Sequence, residues 1–313
     1  MKKICTLIFA IAFVPLAVYS YDTAGWVEYN VQNQTTKEIV QSENDVKRAG
    51  IVGEDDRIEI TGIADENQKP TVTLKVMWFD KEKGLMGSPC SGALVGENLV
   101  LTAAHCVVQN GKLVNVNEIY AAGVPGGAYA YVDRIFIPKE YKDCDEDSNF
   151  AECTKYDYAI VSLINPLGER LGFLGTKIHR KRELLNKKVQ ILGKGGDKPS
   201  GTLWVSNGEI GTVDDNFLWC NADSVRGLSG GPMVLSDDPH NIVAVNIMSQ
   251  PERGEYRNGG VMITPALQRM IAQLRTHYRV VKEIKDKSER LLRQIDKDVK
   301  NSYLYRSRNI SQF

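Results

Sequence analysis

Three residues of the chain together could hydrolyse an acyl bond. Ser229 lies in the stretch Asp223–Val234, a glycine-rich bend with Gly227 before the serine and Gly230 and Gly231 after it. Glycines let a backbone turn sharply and bring its amides close to a ligand. A serine hydroxyl held there can attack a carbonyl once a base takes its proton, and neighbouring amides can hold the oxyanion that forms. Of the histidines His105, His179, His240 and His277, only His105 follows an apolar run, Leu99–Ala104, and precedes a cysteine, Cys106. Small alanines and a tethering cysteine suit a positioned imidazole. His179 falls in a basic loop, His240 in a polar turn and His277 in the C-terminal helix. Asp157 stands at the mouth of the apolar strand Tyr158–Ile164 and is the candidate carboxylate to orient that imidazole. Taken alone it reads equally as a turn residue at a strand start. The chain order His105, Asp157, Ser229 is one of the orders in which such triads occur.

The elements that must carry these residues are short and β-type. Thr71–Phe79 alternates and is rich in β-branched and aromatic residues. Ser91–Val95 and Asn98–Thr102 join at Gly96-Glu97 as a hairpin. Ala128–Pro138, Tyr158–Ile164, Lys188–Gly193, Gly201–Val213, Phe217–Ala222, Pro232–Leu235, Ile242–Met248 and Gly260–Thr264 continue the series. Many short strands with glycine-rich turns indicate an all-β sandwich or barrel. Helical spacing returns at Pro265, with Leu267, Met270, Ile271 and Leu274 on one face, as a covering helix on the β body. Residues 275–308 hold eleven Lys/Arg against five Asp/Glu, a net of +6. A thin apolar stripe there (Ile284, Leu291, Leu292, Ile295, Val299) predicts a second amphipathic helix with a solvated face. Contact with an anionic surface or a partner is the alternative.

The 313 residues carry 39 Lys+Arg and 39 Asp+Glu, a formal net charge of zero. That argues against a nucleic-acid binder driven by bulk charge. Lys2 and Lys3, the apolar run Ile4–Val18 and the small residues around Ser20 predict a secretory signal peptide over residues 1–20. Export without stable membrane insertion, to an extracellular or periplasmic location, follows from it. Residues 21–50 are polar and read as a loosely packed leader or pro-segment. The dibasic Lys47-Arg48 reads either as a processing site or as part of an exposed arm. In an oxidising compartment Cys144 and Cys153 are expected to close the polar loop between them, and Cys90 and Cys106 to meet across a hairpin. Cys220 is left over, either as a buried thiol or as an intermolecular partner. No cofactor is implied, and no spacing of metal ligands occurs.

The chain resembles the chymotrypsin- and trypsin-like serine proteases, in particular their bacterial glutamyl-endopeptidase-like branch. Leu101–Cys106 matches the family's histidine motif, and Cys90-Ser91-Gly92 the segment whose cysteine bridges to it. Tyr156–Ile160 matches the aspartate motif and Gly227–Pro232 the nucleophile motif. Ile51–Arg57, Leu171–Gly175 and Gly195–Trp204 look like the bacterial branch. The resemblance spans about residues 50–275 and implies two perpendicular antiparallel β-barrels with the triad in the cleft between them. The expected domain, 51–275, then has lobes of about 51–165 and 180–264, with a charged extension at 276–313. It implies Ser229 as nucleophile, His105 as general base and acid, Asp157 as orienting group, and the amides of Gly227 and Ser229 as the oxyanion hole.

The resemblance also carries an expectation about specificity. Asp223, six residues before Ser229 and next to Ser224, falls where trypsin-type members place the carboxylate floor of the primary pocket. Gly260 falls on the pocket wall. Ile247, Met248 and Ser249 fall on the segment that pairs with substrate as an added strand. A carboxylate floor would favour cleavage after Arg or Lys. Asn246, where Glu-specific relatives often carry a histidine, points the same way. Asp223 reads alternatively as a turn carboxylate pointing away from the pocket. A glutamyl endopeptidase and a protease-fold binding protein without catalysis are the competing functions. Leu228 replaces the aspartate that, in trypsin-type enzymes, pairs with the new N-terminus after activation. The chain is therefore expected not to use that switch.

Overall fold

A computed structural model of the chain describes residues 24–31, 50–61, 64–80, 84–109, 112–121, 127–144, 151–214 and 216–310. The expected signal peptide and the Lys47-Arg48 pair lie outside the described residues. The first strands are β1 (Trp26–Asn30), β2 (Ile58–Glu59), β3 (Thr71–Asp80), β4 (Gly84–Leu94) and β5 (Leu99–Thr102). A short ribbon of β6 (Val108–Gln109) and β7 (Lys112–Leu113) leads to β8 (Asn115–Ala121), β9 (Ala128–Pro138) and β10 (Ala159–Leu163). The second half adds β11 (Gly175–Thr176), β12 (Lys188–Gly193), β13 (Trp204–Asp214), β14 (Phe217–Cys220), β15 (Pro232–Leu235), β16 (Asp238–Ser249) and β17 (Asn258–Met262).

These strands close into two antiparallel barrels. The first runs β9-β10-β5-β4-β3-β8 and returns to β9. The second runs β16-β15-β12-β13-β14-β17 and returns to β16. Period-two patterning produces the closure: along β9, Ala128, Ala130 and Val132 point inward while Tyr129 and Tyr131 face water. Leu74, Leu94, Ile119, Ile135 and Ile160 fill the first barrel's buried set, and Val189, Ile191, Ile210, Leu218 and Met233 the second's. Each such side chain contributes about 1.5–3 kcal/mol on burial. Both expected disulfides are present, Cys90–Cys106 and Cys144–Cys153. Cys220 is a buried thiol outside both disulfides, the arrangement of the buried-thiol reading.

Three expectations change. The leader is not wholly loose: β1 adds to the first barrel beside β9, from Trp26 opposite Pro138 to Asn30 opposite Arg134. Trp26 packs on Tyr158 with ring centroids 5.9 Å apart, and Glu28 pairs with Arg134. The polar composition around this five-residue strand masked it. The C-terminal helix is continuous from Pro265 to Ile310 rather than two helices, because no glycine or further proline interrupts it. The compact barrel unit ends at Ala272, so it takes in Leu267, Met270 and Ile271, all buried. From Gln273 the helix belongs to a separate unit. There Glu283–Lys287, Glu289–Arg293 and Asp296–Lys300 pair along the helix itself. No described helix is long and apolar enough to cross a membrane.

The segment from Gly50 to Glu59 lies on the second barrel. Gly50 forms an antiparallel bridge with Ser224, and β2 pairs with β13. Arg57 is buried, with its Nε and Nη2 on Asp55 at 2.8 Å and its Nη1 and Nη2 on Asp197 at 3.1 and 2.5 Å. The Arg57 hydrogen bonds hold the carboxyl of Asp197 below the usual carboxylate range.

A depressed native pKa means that this stabilisation is complete above the unfolded value of about 4 and is lost as pH falls through the native one. Thermal melts between pH 6 and pH 3 should therefore show a steeper loss of Tm for the wild type than for Asp197→Asn; parallel curves would contradict the pairing. Burial pushes the Cys220 thiol up to about 12. Native protein should not react with a maleimide at neutral pH, whereas denatured mature protein should show one reactive thiol. Rapid labelling in the native state would contradict the buried assignment.

Candidate active site

Register in the first barrel brings two of the expected residues together. Ala159, at the start of β10, lies directly opposite Thr102, at the end of β5. The chain leaves β5 into a 3-10 turn, Ala104–Cys106, and enters β10 from another, Thr154–Tyr156. His105 and Asp157 therefore meet at one end of adjacent strands. Asp157 accepts the His105 backbone N–H through Oδ1 at 2.9 Å, and its Oδ2 lies 2.6 Å from His105 Nδ1. Both residues are buried. An ionised carboxylate can only accept, so opposite one Nδ1 carries the hydrogen. That tautomer leaves Nε2 as the basic nitrogen. Cys90 and Cys106 stand beside the imidazole, and both sulfurs are committed to their disulfide.

The serine bend comes from the loop between β14 and β15. Gly227 has φ +103° and Gly230 φ +81°, values that side chains resist. A Cβ on Gly230 would fall 2.1 Å from Thr102 Oγ1 and 2.8 Å from the Ala103 amide nitrogen, so the bend abuts the start of the His105 turn. Ser91 fastens it. Its N–H donates to the Ser229 carbonyl at 2.7 Å, and its Oγ donates to the Gly227 carbonyl at 2.8 Å. Asn246 fastens the other side: its Nδ2 donates to the Leu228 carbonyl at 3.0 Å, and its carbonyl accepts the Gly230 N–H at 2.7 Å. Leu228 and Gly231 donate within the turn. Among the described residues, no protein acceptor takes the N–H of Gly227 or of Ser229. Two uncommitted amides flanking a serine are what an oxyanion hole requires.

The specificity residues are arranged otherwise than expected. Asp223 is buried, but its Oδ1 accepts the Val52 N–H at 2.6 Å and its Oδ2 the Asp56 N–H at 3.4 Å. Burial pushes its carboxyl above the usual range, against these two hydrogen bonds. The carboxylate is thus an anchor for the segment before β2. Nothing in the sequence near residue 223 signals partners 171 positions away. Gly260 is not an open wall either. A Cβ there would fall 2.4 Å from Met233 Sδ and 2.5 Å from the Val245 carbonyl, so its small size serves strand packing. Asn258 is the β17 residue opposite Ser249. Its Nδ2 donates to the carbonyls of Gly50 at 3.0 Å and Ala222 at 2.8 Å. Ser224 is buried, bridged to Gly50, and its Oγ accepts Asn246 Nδ2 at 2.9 Å. Three buried polar atoms here have no partner: Ser249 Oγ, Arg257 Nε and Asn258 Oδ1. Sequence reading missed Arg257 and Asn258, whose loop gave no period or motif.

Ile247, Met248 and Ser249 continue β16 past its last β15 pair, Pro232 with Val245, while β17 pairs its other side. Among the described residues, no strand pairs the outer edge of these three. A separate cavity, lined in part by Lys75, Ser88, Pro89, Tyr120 and Lys194, has a volume of about 770 Å³.

The chain is similar to known proteins. The glutamyl endopeptidase of Bacillus licheniformis is 27% identical over 208 residues, 63% of this chain and 60% of that protein. The glutamyl endopeptidase of Staphylococcus epidermidis is 26% identical over 147 residues, 46% of this chain and 49% of that protein. The matches thus span less than two thirds of these relatives' length. A solved structure of a Glu endopeptidase superposes with a TM-score of 0.60 at 20% identity, covering 72% of this chain and 100% of that one, a likeness of fold. The trypsin family profile matches residues 67–268, the span that includes both barrels and the His105, Asp157 and Ser229 motifs, and the chain belongs to that family.

Proposed function

We propose that the chain is a secreted serine endopeptidase that works through His105, Asp157 and Ser229 and cleaves after glutamate. One observation carries the chemistry: the buried His105 Nδ1–Asp157 Oδ2 contact stands beside a serine bend with two uncommitted amides. His105 Nε2 takes the Ser229 proton as Oγ attacks the scissile carbonyl. The resulting imidazolium is stabilised by Asp157 and protonates the leaving amine. The N–H groups of Gly227 and Ser229 receive the oxyanion, and each donor of this kind is worth about 100–1,000-fold in rate. Water then enters on the same base and releases the acyl group from Ser229. The reading needs no metal or cofactor step.

The glutamate preference replaces the expectation of Arg or Lys. Asp223 accepts the Val52 N–H at 2.6 Å and the Asp56 N–H at 3.4 Å, so acceptor capacity that a cationic side chain would use is spent on the segment before β2. The unpartnered buried atoms instead include a guanidinium nitrogen, Arg257 Nε, and a hydroxyl, Ser249 Oγ. A Cβ on Gly50 would fall 3.3 Å from Ser249 Oγ and 3.4 Å from Arg257 Cδ, so the two border one space. A carboxylate suits such donors, and a guanidinium does not. The names of the two bacterial relatives favour the same preference.

A fluorophosphonate probe should label the mature wild type and not Ser229→Ala. The absence of Ser229-dependent labelling in folded protein would favour the binding-protein alternative. Peptides with Glu, Arg, Lys or Phe before the cut should give at least tenfold higher kcat/KM for Glu. Asp223→Ser should lower stability by about 1–3 kcal/mol through two unpaired amides and leave the Glu-to-Arg ratio nearly unchanged. A preference for Arg or Lys that disappears in Asp223→Ser would restore Asp223 as selector.

A further inference from the structure

We propose that Arg57 is a positioning residue for the oxyanion hole, acting through Asp197 and the Gly196 amide on the Arg226–Gly227 peptide. The inference rests on the reading of Gly227 as an oxyanion donor. Its last link is a hydrogen bond: Gly196 N–H donates to the Arg226 carbonyl at 2.6 Å. No cis peptide occurs among the described residues. In a trans peptide the C=O and N–H point in opposite directions. With the Arg226 carbonyl turned onto Gly196, the Gly227 N–H must point to the other side of the chain, where it has no protein acceptor. Rotation of this one peptide would withdraw the donor. Gly227 has no Cβ to resist such a rotation, and its φ of +103° lies where glycine moves freely. An external hold is therefore required, and Gly196 supplies it.

Gly196 cannot hold anything unless it is itself held. It sits in Gly195-Gly196-Asp197, two residues without side chains in a turn closed by the Lys198 N–H on the Gly195 carbonyl at 3.1 Å. Fixing such a backbone is entropically costly. Arg57 fixes it, with two guanidinium nitrogens on the two oxygens of Asp197 at 3.1 and 2.5 Å. A Cβ on Gly195 would fall 2.8 Å from Arg57 Nη1 and 2.8 Å from Val225 Cγ2, so the bend lies directly on the guanidinium and on the nucleophile loop. A planar two-point fork fixes orientation as well as distance. Arg57 is immobilised in turn by Asp55 on its Nε and Nη2. Behind it, Asp223 grips the Val52 and Asp56 amides. The buried carboxylate before the nucleophile thus secures the segment that carries Arg57, and Arg57 turns the peptide beside the nucleophile.

The test uses the mature secreted enzyme, with Arg57→Met, Arg57→Lys and Asp197→Asn. A peptide aldehyde, which forms a tetrahedral adduct with Ser229, is compared with the corresponding peptide alcohol, which cannot. Arg57→Met and Asp197→Asn should each lower kcat about 10–100-fold, part of the roughly 100–1,000-fold worth of one donor, with KM within about threefold. Aldehyde affinity should fall by the same factor as kcat while alcohol affinity holds, and Arg57→Lys should recover part of the loss. If Arg57→Met does not fold, Asp197→Asn, whose carboxylate is half-exposed, carries the test alone. Variants that keep kcat and the aldehyde-to-alcohol ratio, or that weaken both inhibitors equally, would overturn the role of Arg57. A wild type that binds the aldehyde no better than the alcohol would instead overturn the oxyanion reading beneath it.

Discussion

Ser91 is the point at which the two barrels become one site. It is fully buried within β4, next to the disulfide that ties Cys90 to Cys106. Its N–H holds the Ser229 carbonyl, its carbonyl accepts Thr102 Oγ1, and its Oγ both donates to the Gly227 carbonyl and accepts the Lys194 N–H. Every polar group of the residue is spent, on the ends of β5 and β12 and on the serine bend. In the interior such bonds strengthen one another, and the loss of one leaves its partner unpaired at a cost of about 1–3 kcal/mol. The distance between His105 and Ser229 therefore depends on a residue that takes no part in the proposed chemistry. A larger side chain could not be accommodated: the space around Ser91 is already closed by Gly193, whose missing Cβ would fall 2.3 Å from Ser91 Oγ.

What was legible in the sequence follows the range of the interactions that determine it. The strands with strong local signals, such as β9, β12 and β15, stand where alternation and composition predict them. The His105 and Asp157 segments were legible because each motif is the local end of a paired strand. Both disulfides join cysteines no more than 16 residues apart. The residues misread are those whose meaning is fixed at long range. Asp223 looks like a pocket floor until Val52, 171 residues earlier, is found on its carboxylate. Gly260 looks like a vacant wall until Met233 and Val245 are found in its space. Trp26–Asn30 has no pattern of its own and becomes a strand because β9 offers it an edge and Tyr158 a ring.

Leu228 exposes a physical difference from enzymes that carry an aspartate at its position. A buried carboxylate beside the nucleophile is costly unless a cation reaches it, so it can make a site conditional on that cation's arrival. A leucine imposes no such condition. Leu228 is buried, its side chain 3.0 Å from the place a Cβ on Gly193 would take, and its own amide and carbonyl are satisfied within the turn and by Asn246. Apolar packing holds this residue in every state in which the barrels are folded. The orientation of the bend is then left to bonds that do not wait for a new chain terminus. Arg57 belongs to this class, since its guanidinium is permanently charged and arrives with the segment that carries it. In the proposed arrangement the electrostatic component has moved from the nucleophile loop to the bend packed against it. The segment from Gly50 to Glu59 lies on the second barrel through the Gly50–Ser224 bridge, the β2–β13 pairing and the amides held by Asp223, so in the proposed arrangement the Arg57 contacts depend on that packing.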